Sequence, residues 1–180
     1  EAGTTGETEG TESGAGTQEE IPEPKIQKIC VTATGDCTLG KMQDHGYEGS
    51  FCWYYDNKGP DYFFGDVKSV FEKDDFTIVN LECVLSDSTD RIEKTYSLKG
   101  EPGYTAIMTG SSVEACSLGN NHSMDYGYQS LVDTQNALDQ AGIVYGYNQH
   151  IGTYTTKEGL KIGIVSASLL SQSLEVENYL

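Results

Sequence analysis

Three apolar stretches rich in β-branched residues, Ile26 to Thr34, Phe76 to Leu81 and Val113 to Leu118, each run into a cluster of small or polar residues. Near-continuous apolar runs of this length are what strands of a parallel sheet require, because such sheets are covered on both faces. Segments with helical signals separate them. Phe64 to Lys73 sets Phe64, Val67, Val70 and Phe71 at helical steps, and Tyr104 to Thr109 follows Pro102, a residue suited to a first helical turn. A longer helix is predicted from Tyr128 to Gln140, where Leu131, Thr134, Leu138 and Ala141 share a face and Gly142 supplies a stop. Ile143 to Tyr145 reads as a fourth strand. Thr153 to Thr156 and Leu160 to Ala167 flank Glu158-Gly159 as the arms of a hairpin. This alternation specifies an α/β fold with a largely parallel sheet flanked by helices. The stretch from Asp44 to Tyr62, rich in glycine and aromatics including Trp53, Tyr54 and Tyr55, has no period and is expected to be a long loop beside the active edge.

The chain has 180 residues, enough for one domain with a substantial core. Its formal charge of −17 is unevenly distributed, since Glu1 to Pro24 holds seven glutamates and no Lys or Arg, while the rest carries 21 acids against 11 bases. That balance argues against nucleic acid as a partner. Residues 1–25, built from Glu, Thr, Gly and Ser, cannot bury enough apolar surface to offset chain entropy and are expected to form a disordered acidic tether ahead of a folded unit at 26–180. No hydrophobic run is long enough for a signal peptide or a membrane span. The expectation is an extracellular or cell-surface bacterial protein, tethered or secreted, whose link to the membrane is a removed N-terminal signal or anchor. None of the five cysteines shows the spacing of a zinc or redox motif. Cys30 and Cys116 sit in apolar runs and are read as core residues, whereas Cys37, Cys52 and Cys83 lie near loops and could supply one disulfide.

In open α/β sheets ligands bind beyond the carboxyl ends of the strands. There this sequence places Gly35-Asp36 after the first strand, Asn80 and Glu82 after the second, and Asn120, Asn121, His122 and Asp125 after the third. Carboxylate, amide oxygen and imidazole are the donors a divalent cation takes. Taken singly, Gly-Asp is an ordinary turn and Asn80-Leu81-Glu82 an ordinary strand end. Two amides and an imidazole between an apolar strand and a helix are costly as mere packing, and the succession of three such clusters is more telling than any one. His45 and His150 are expected to be surface residues.

Gly35-Asp36, Asn80-Leu81-Glu82 and the run from Asn120 to Gly127, in that order, resemble the poly-gamma-glutamate capsule biosynthesis (CapA-type) family. Lys99-Gly100 with Pro102 and Tyr104, and Gly146-Tyr147-Asn148, extend the resemblance over about residues 28 to 170. That family is similar to the calcineurin-like metallophosphoesterases, so the resemblance implies the N-terminal portion of their α/β sandwich. It implies one or two divalent metal ions, with Mn, Zn or Fe fitting, and Asp36, Glu82 and Asn121 as ligands. His122 becomes the general acid or phosphate contact, and Asn80, Asn120 and Asp125 orient these groups. The implied activity is a metal-dependent phosphoesterase-like or hydrolase-like reaction on a phosphoester or an anionic cell-surface polymer. The alternative is non-catalytic binding, anchoring or export of that polymer. The sequence departs from the phosphoesterase pattern at Thr38, where a histidine follows the first aspartate by two residues, and no later histidine motif appears.

Overall fold

The computed structural model describes Gly3 and residues 26–168. The tether expected over residues 1–25 lies, Gly3 apart, outside the described residues, as do residues 169–180. In chain order the elements are β1 (Val31–Cys37), β2 (Lys41–Met42), α1 (Phe51–Lys58), α2 (Lys68–Phe71), β3 (Phe76–Leu81), β4 (Val84–Leu85), β5 (Leu98–Gly100), α3 (Thr105–Thr109), β6 (Ala115–Ser117), α4 (Gly127–Ala141), β7 (Val144–Gly146), β8 (Gly152–Thr155) and β9 (Lys161–Ile164). Short 3-10 turns at Pro60–Tyr62 and Pro102–Tyr104 join them.

The main sheet runs β1-β3-β6-β7 with every neighbouring pair parallel. Its side chains alternate between two apolar layers, as a pleated strand dictates. Val79, Leu81, Cys116 and Tyr145 join Leu131 and Leu138 in the larger core on the helix side. Phe76 and Ala115 pack with Ile78, Val144, Ile162 and Ile164 on the other side, against the β8–β9 hairpin. Cover on both faces is why the central strands read as unbroken apolar runs. The fold is α/β with a parallel sheet flanked by helices.

The longest helix, α4, buries Ser130, Leu131, Thr134, Ala137 and Leu138 along one face. It stops at Gly142, whose φ of 71° is left-handed and whose N–H returns to the carbonyls of Leu138 and Asp139. The Thr134 hydroxyl accepts from the Leu85 N–H at 2.8 Å and donates to the Ser130 carbonyl at 2.7 Å, fastening α4 to β4.

Several local expectations are revised. The first strand begins at Val31, not Ile26, and continues through Gly35-Asp36, so Asp36 lies within β1 instead of in a turn after it. The helix expected over 64–73 is confined to Lys68–Phe71, because only Phe71 is buried while Val67 and Val70 are exposed. The expected loop from Asp44 to Tyr62 contains α1, capped by Ser50, whose hydroxyl accepts from the Trp53 N–H at 3.3 Å. Phe51 and Tyr55, one turn apart, both pack on Phe63 and Tyr104, at 4.3 Å for Phe51–Phe63 and 4.4 Å for Tyr55–Tyr104, while Tyr54 stacks on Tyr62 at 5.3 Å, so aromatics on more than one face blur the apolar stripe. A second, three-stranded sheet, β2-β5-β4, was not expected. Cys30 is exposed instead of core, and Cys37, Cys52 and Cys83 are free thiols without the disulfide that they could have formed. Burial pushes the Cys37 thiol up to about 12, so it is an inert apolar group.

Candidate functional site

A bulge in β1 creates the site's first wall. Ala33 pairs with Ile78 and Asp36 with Asn80, so three steps on β1 match two on β3. The extra residue reverses the pleat, turning Asp36 to the face that carries Asn80 and delivering Cys37 to the opposite, buried side opposite Leu81. Across the sheet the same row continues through Ser117 and Gly146. Asn80 donates its amide to Asp36 Oδ1 at 2.7 Å.

Asn120 is the hub behind this row. Its amide nitrogen donates to Asn80 Oδ1 at 3.0 Å and to the Leu81 carbonyl at 2.9 Å, while its Oδ1 accepts from the His122 N–H at 2.9 Å. Every polar atom of this buried side chain is therefore used, which fixes the turn carrying His122 relative to β3. Ser123 reinforces the turn by donating to the carbonyls of Leu118 and Asn120.

His122 is buried, and its Nδ1 lies 2.7 Å from Asp125 Oδ2. Asp125 has no exposed surface and also accepts from the Leu98 N–H at 2.6 Å and from Lys94 Nζ at 2.6 Å. Asp125 accepts from every one of these partners, so His122 offers it the Nδ1 proton and keeps Nε2 directed at the site. Nε2 points toward Glu82, 3.8 Å from Oε1. Lys94 additionally donates to the Asn121 carbonyl at 2.8 Å, closing a ring of contacts around the histidine.

Glu82 lies beside Asp36. Burial first, then hydrogen bonding and repulsion from the Asp36 carboxylate, push its carboxyl above the ordinary range. No Lys or Arg forms an ion pair with either carboxylate among the described residues. The two uncompensated carboxylates, with the exposed Asn121 amide and an imidazole nearby, have the donor chemistry of a divalent-cation site. Among the described residues, however, no three His, Cys, Asp or Glu side chains converge as a complete ligand group.

The structure thus brings Asp36, Asn80, Glu82, Asn120, His122 and Asp125 into one connected network, with Asn121 exposed at its rim. His45 and His150 are exposed and stand apart from this network. Three contributors escaped sequence reasoning. Lys94 lies in a stretch with no period, and its role follows only from where the chain passes. Ser117 and Ser166 share a hydrogen bond of 2.6 Å, and the Ser166 hydroxyl also accepts from the Gly119 N–H at 2.6 Å, which ties the hairpin's end to the site row. Serines ending apolar strands were the one available signal for that pair.

The profile of the Bacterial capsule synthesis protein PGA_cap matches residues 30–177, which contain the whole network. The chain belongs to this bacterial capsule synthesis family. Two curated relatives, both named probable polyglutamine synthesis accessory protein, come from Mycobacterium tuberculosis strains CDC 1551 / Oshkosh and ATCC 25618 / H37Rv. Each is 34% identical to this chain over 83 residues, which are 44% of this chain and 22% of the relative. The matched stretch therefore spans under a quarter of those relatives. The family is described as one of bacterial capsule synthesis proteins.

Proposed function

We propose that this capsule-synthesis protein carries one wall of a metal-assisted hydrolase site acting on a phosphoester or on an anionic cell-surface polymer. The observation that carries the reading is the orientation of His122. Its Nδ1 is held by the buried Asp125, and its Nε2 is turned to a carboxylate that itself lies beside Asp36.

A divalent cation bound by Asp36, Glu82 and Asn121 would polarise a substrate oxygen and lower the pKa of a bound water. The chain's own residues supply the rest. His122 Nε2 is placed to pass a proton to a leaving oxygen, the Nδ1–H bond to Asp125 fixes the ring plane, and Lys94 balances the Asp125 charge. Asn80 and Asn120 hold the Asp36 and His122 walls at a fixed separation. Mn, Zn or Fe suits the oxygen and nitrogen donors. The polymer is reached at the cell surface in this reading, outside the cytoplasm.

The test titrates Mn2+ or Zn2+ into the protein by calorimetry and follows hydrolysis of a generic phosphodiester. Asp36→Asn and Glu82→Gln should each weaken metal binding by about tenfold or more. His122→Asn should lower turnover by a factor on the order of 100 while binding metal nearly as before. Absence of metal binding, or turnover untouched by His122→Asn, overturns the reading. Metal-dependent binding of polyglutamate without hydrolysis would assign the family fold here to holding, anchoring or exporting the polymer.

A further inference from the structure

A cleft of roughly 240 Å3 opens on the small sheet and is bordered by Lys41, Lys99, Ser86 and Tyr126, with none of Asp36, Glu82 or His122 in its walls. Its lysines are unusually placed. β2 and β5 run antiparallel with Lys41 directly opposite Lys99, and directly opposed residues project to the same face. Like charges in that arrangement oppose pairing of the strands. The chain has only 11 Lys and Arg against 28 Asp and Glu, so a paired placement of two scarce cations runs against what folding alone favours.

Among the described residues, neither ammonium forms an ion pair with a carboxylate. Lys41 Nζ donates to the His45 carbonyl at 2.7 Å and the Met42 carbonyl at 3.3 Å. Lys99 Nζ donates to the Ser88 carbonyl at 2.6 Å and lies 4.8 Å from the centre of the Tyr126 ring. Main-chain carbonyls aim these groups without cancelling their charge, and each keeps a donor in reserve. Asp87 and Glu101 also border the cleft, but both are exposed, whereas the lysines are half-buried. Solvent screens the former more than the latter.

An independent observation comes from Tyr126. The residue is 1% exposed, and its hydroxyl is buried without a hydrogen-bond partner among the described residues. A buried hydroxyl left unpaired is costly, and an acceptor within the cleft would relieve it.

We propose that this cleft is an oxyanion-binding site, in which Lys41 and Lys99 together hold a carboxylate or phosphate group and the Tyr126 hydroxyl donates a further hydrogen bond. An anion between the lysines turns their repulsion into a shared attraction. Tyr126 directly follows Asp125, so a group held here sits on the turn that orients His122. The site stands whether or not His122 performs chemistry.

Calorimetric titration with inorganic phosphate and, separately, with a short glutamate oligomer tests the proposal. Wild-type protein should bind at least one of them with an affinity that falls as salt rises. Lys41→Gln and Lys99→Gln should each weaken binding by about tenfold, the loss of one charge-assisted contact. Lys99→Arg should restore most of the binding, and Tyr126→Phe should weaken it severalfold while preserving the ring. Binding of the oligomer alone assigns the site to carboxylates; binding of phosphate assigns it to phosphoryl groups. His122→Asn should bind as wild type does, which separates this site from the hydrolase reading. No binding of either probe up to about 10 mM, or equal binding by the Lys41→Gln/Lys99→Gln double variant, overturns the proposal.

Discussion

Asp125 has no contact with solvent, yet it receives Lys94, the Leu98 N–H and His122 at once. Replacing one of its oxygens by an amide sets a donor against donors. Asp125→Asn is therefore expected to lower stability by about 3 kcal/mol in urea unfolding, the scale for breaking a buried charged pair from one side. A loss well under 1 kcal/mol would show the contacts to be dispensable. Glu82 behaves oppositely. Its carboxyl is raised in the folded protein, so the fold holds that proton more tightly than the unfolded chain does. The resulting stabilisation is fully present below the ordinary glutamate value and is lost as pH rises through the folded value. Glu82→Gln should accordingly raise the melting temperature at about pH 7 and have little effect near pH 4. A destabilised Glu82→Gln protein at neutral pH would contradict the assigned burial and repulsion.

Among the elements, β1 and the β9 end carry the site's geometry. Deleting Gly35 removes the extra residue of the bulge and leaves two steps on β1 against two on β3, so Asp36 should stay opposite Asn80 and keep its bond. Metal titration of that variant should resemble wild type, and a loss as large as that of Asp36→Asn would show that the bulge itself aims the carboxylate. Gly119 answers for the hairpin's docking. A Cβ there would stand 2.5 Å from Ser166 Oγ and 2.8 Å from the Ala167 nitrogen. Gly119→Ala should therefore cost about 1–3 kcal/mol in urea unfolding through displacement of the β9 end. The Gly35-Asp36 pair reads as a turn in sequence because both residues favour turns; only its pairing with β3 makes it a bulge. α1 was hidden because aromatics stand on more than one of its faces: Phe51 and Tyr55 share Phe63 and Tyr104, while Tyr54 stacks on Tyr62.

At the scale of the whole molecule, a net charge of −17 makes the fold repel itself. Raising NaCl from about 10 to 200 mM should increase the melting temperature through screening, and a fall would show that favourable ion pairs outweigh the repulsion. The α/β class, the succession of the central strands along the chain and the extent of α4 were legible in the residues alone. Those follow from local periodicity and stop residues, which the geometry of strand and helix imposes wherever the chain goes. The sequence also marked Asp36, Glu82 and the Asn-Asn-His cluster, because polar residues closing apolar strands must emerge at one sheet edge. Tertiary structure alone decided that Asp36 faces Asn80, that Lys94 reaches Asp125 across 31 residues, and that Lys41 stands opposite Lys99. These contacts depend on register, on a bulge and on the path of a segment without period, quantities fixed only when distant strands pair and the core closes.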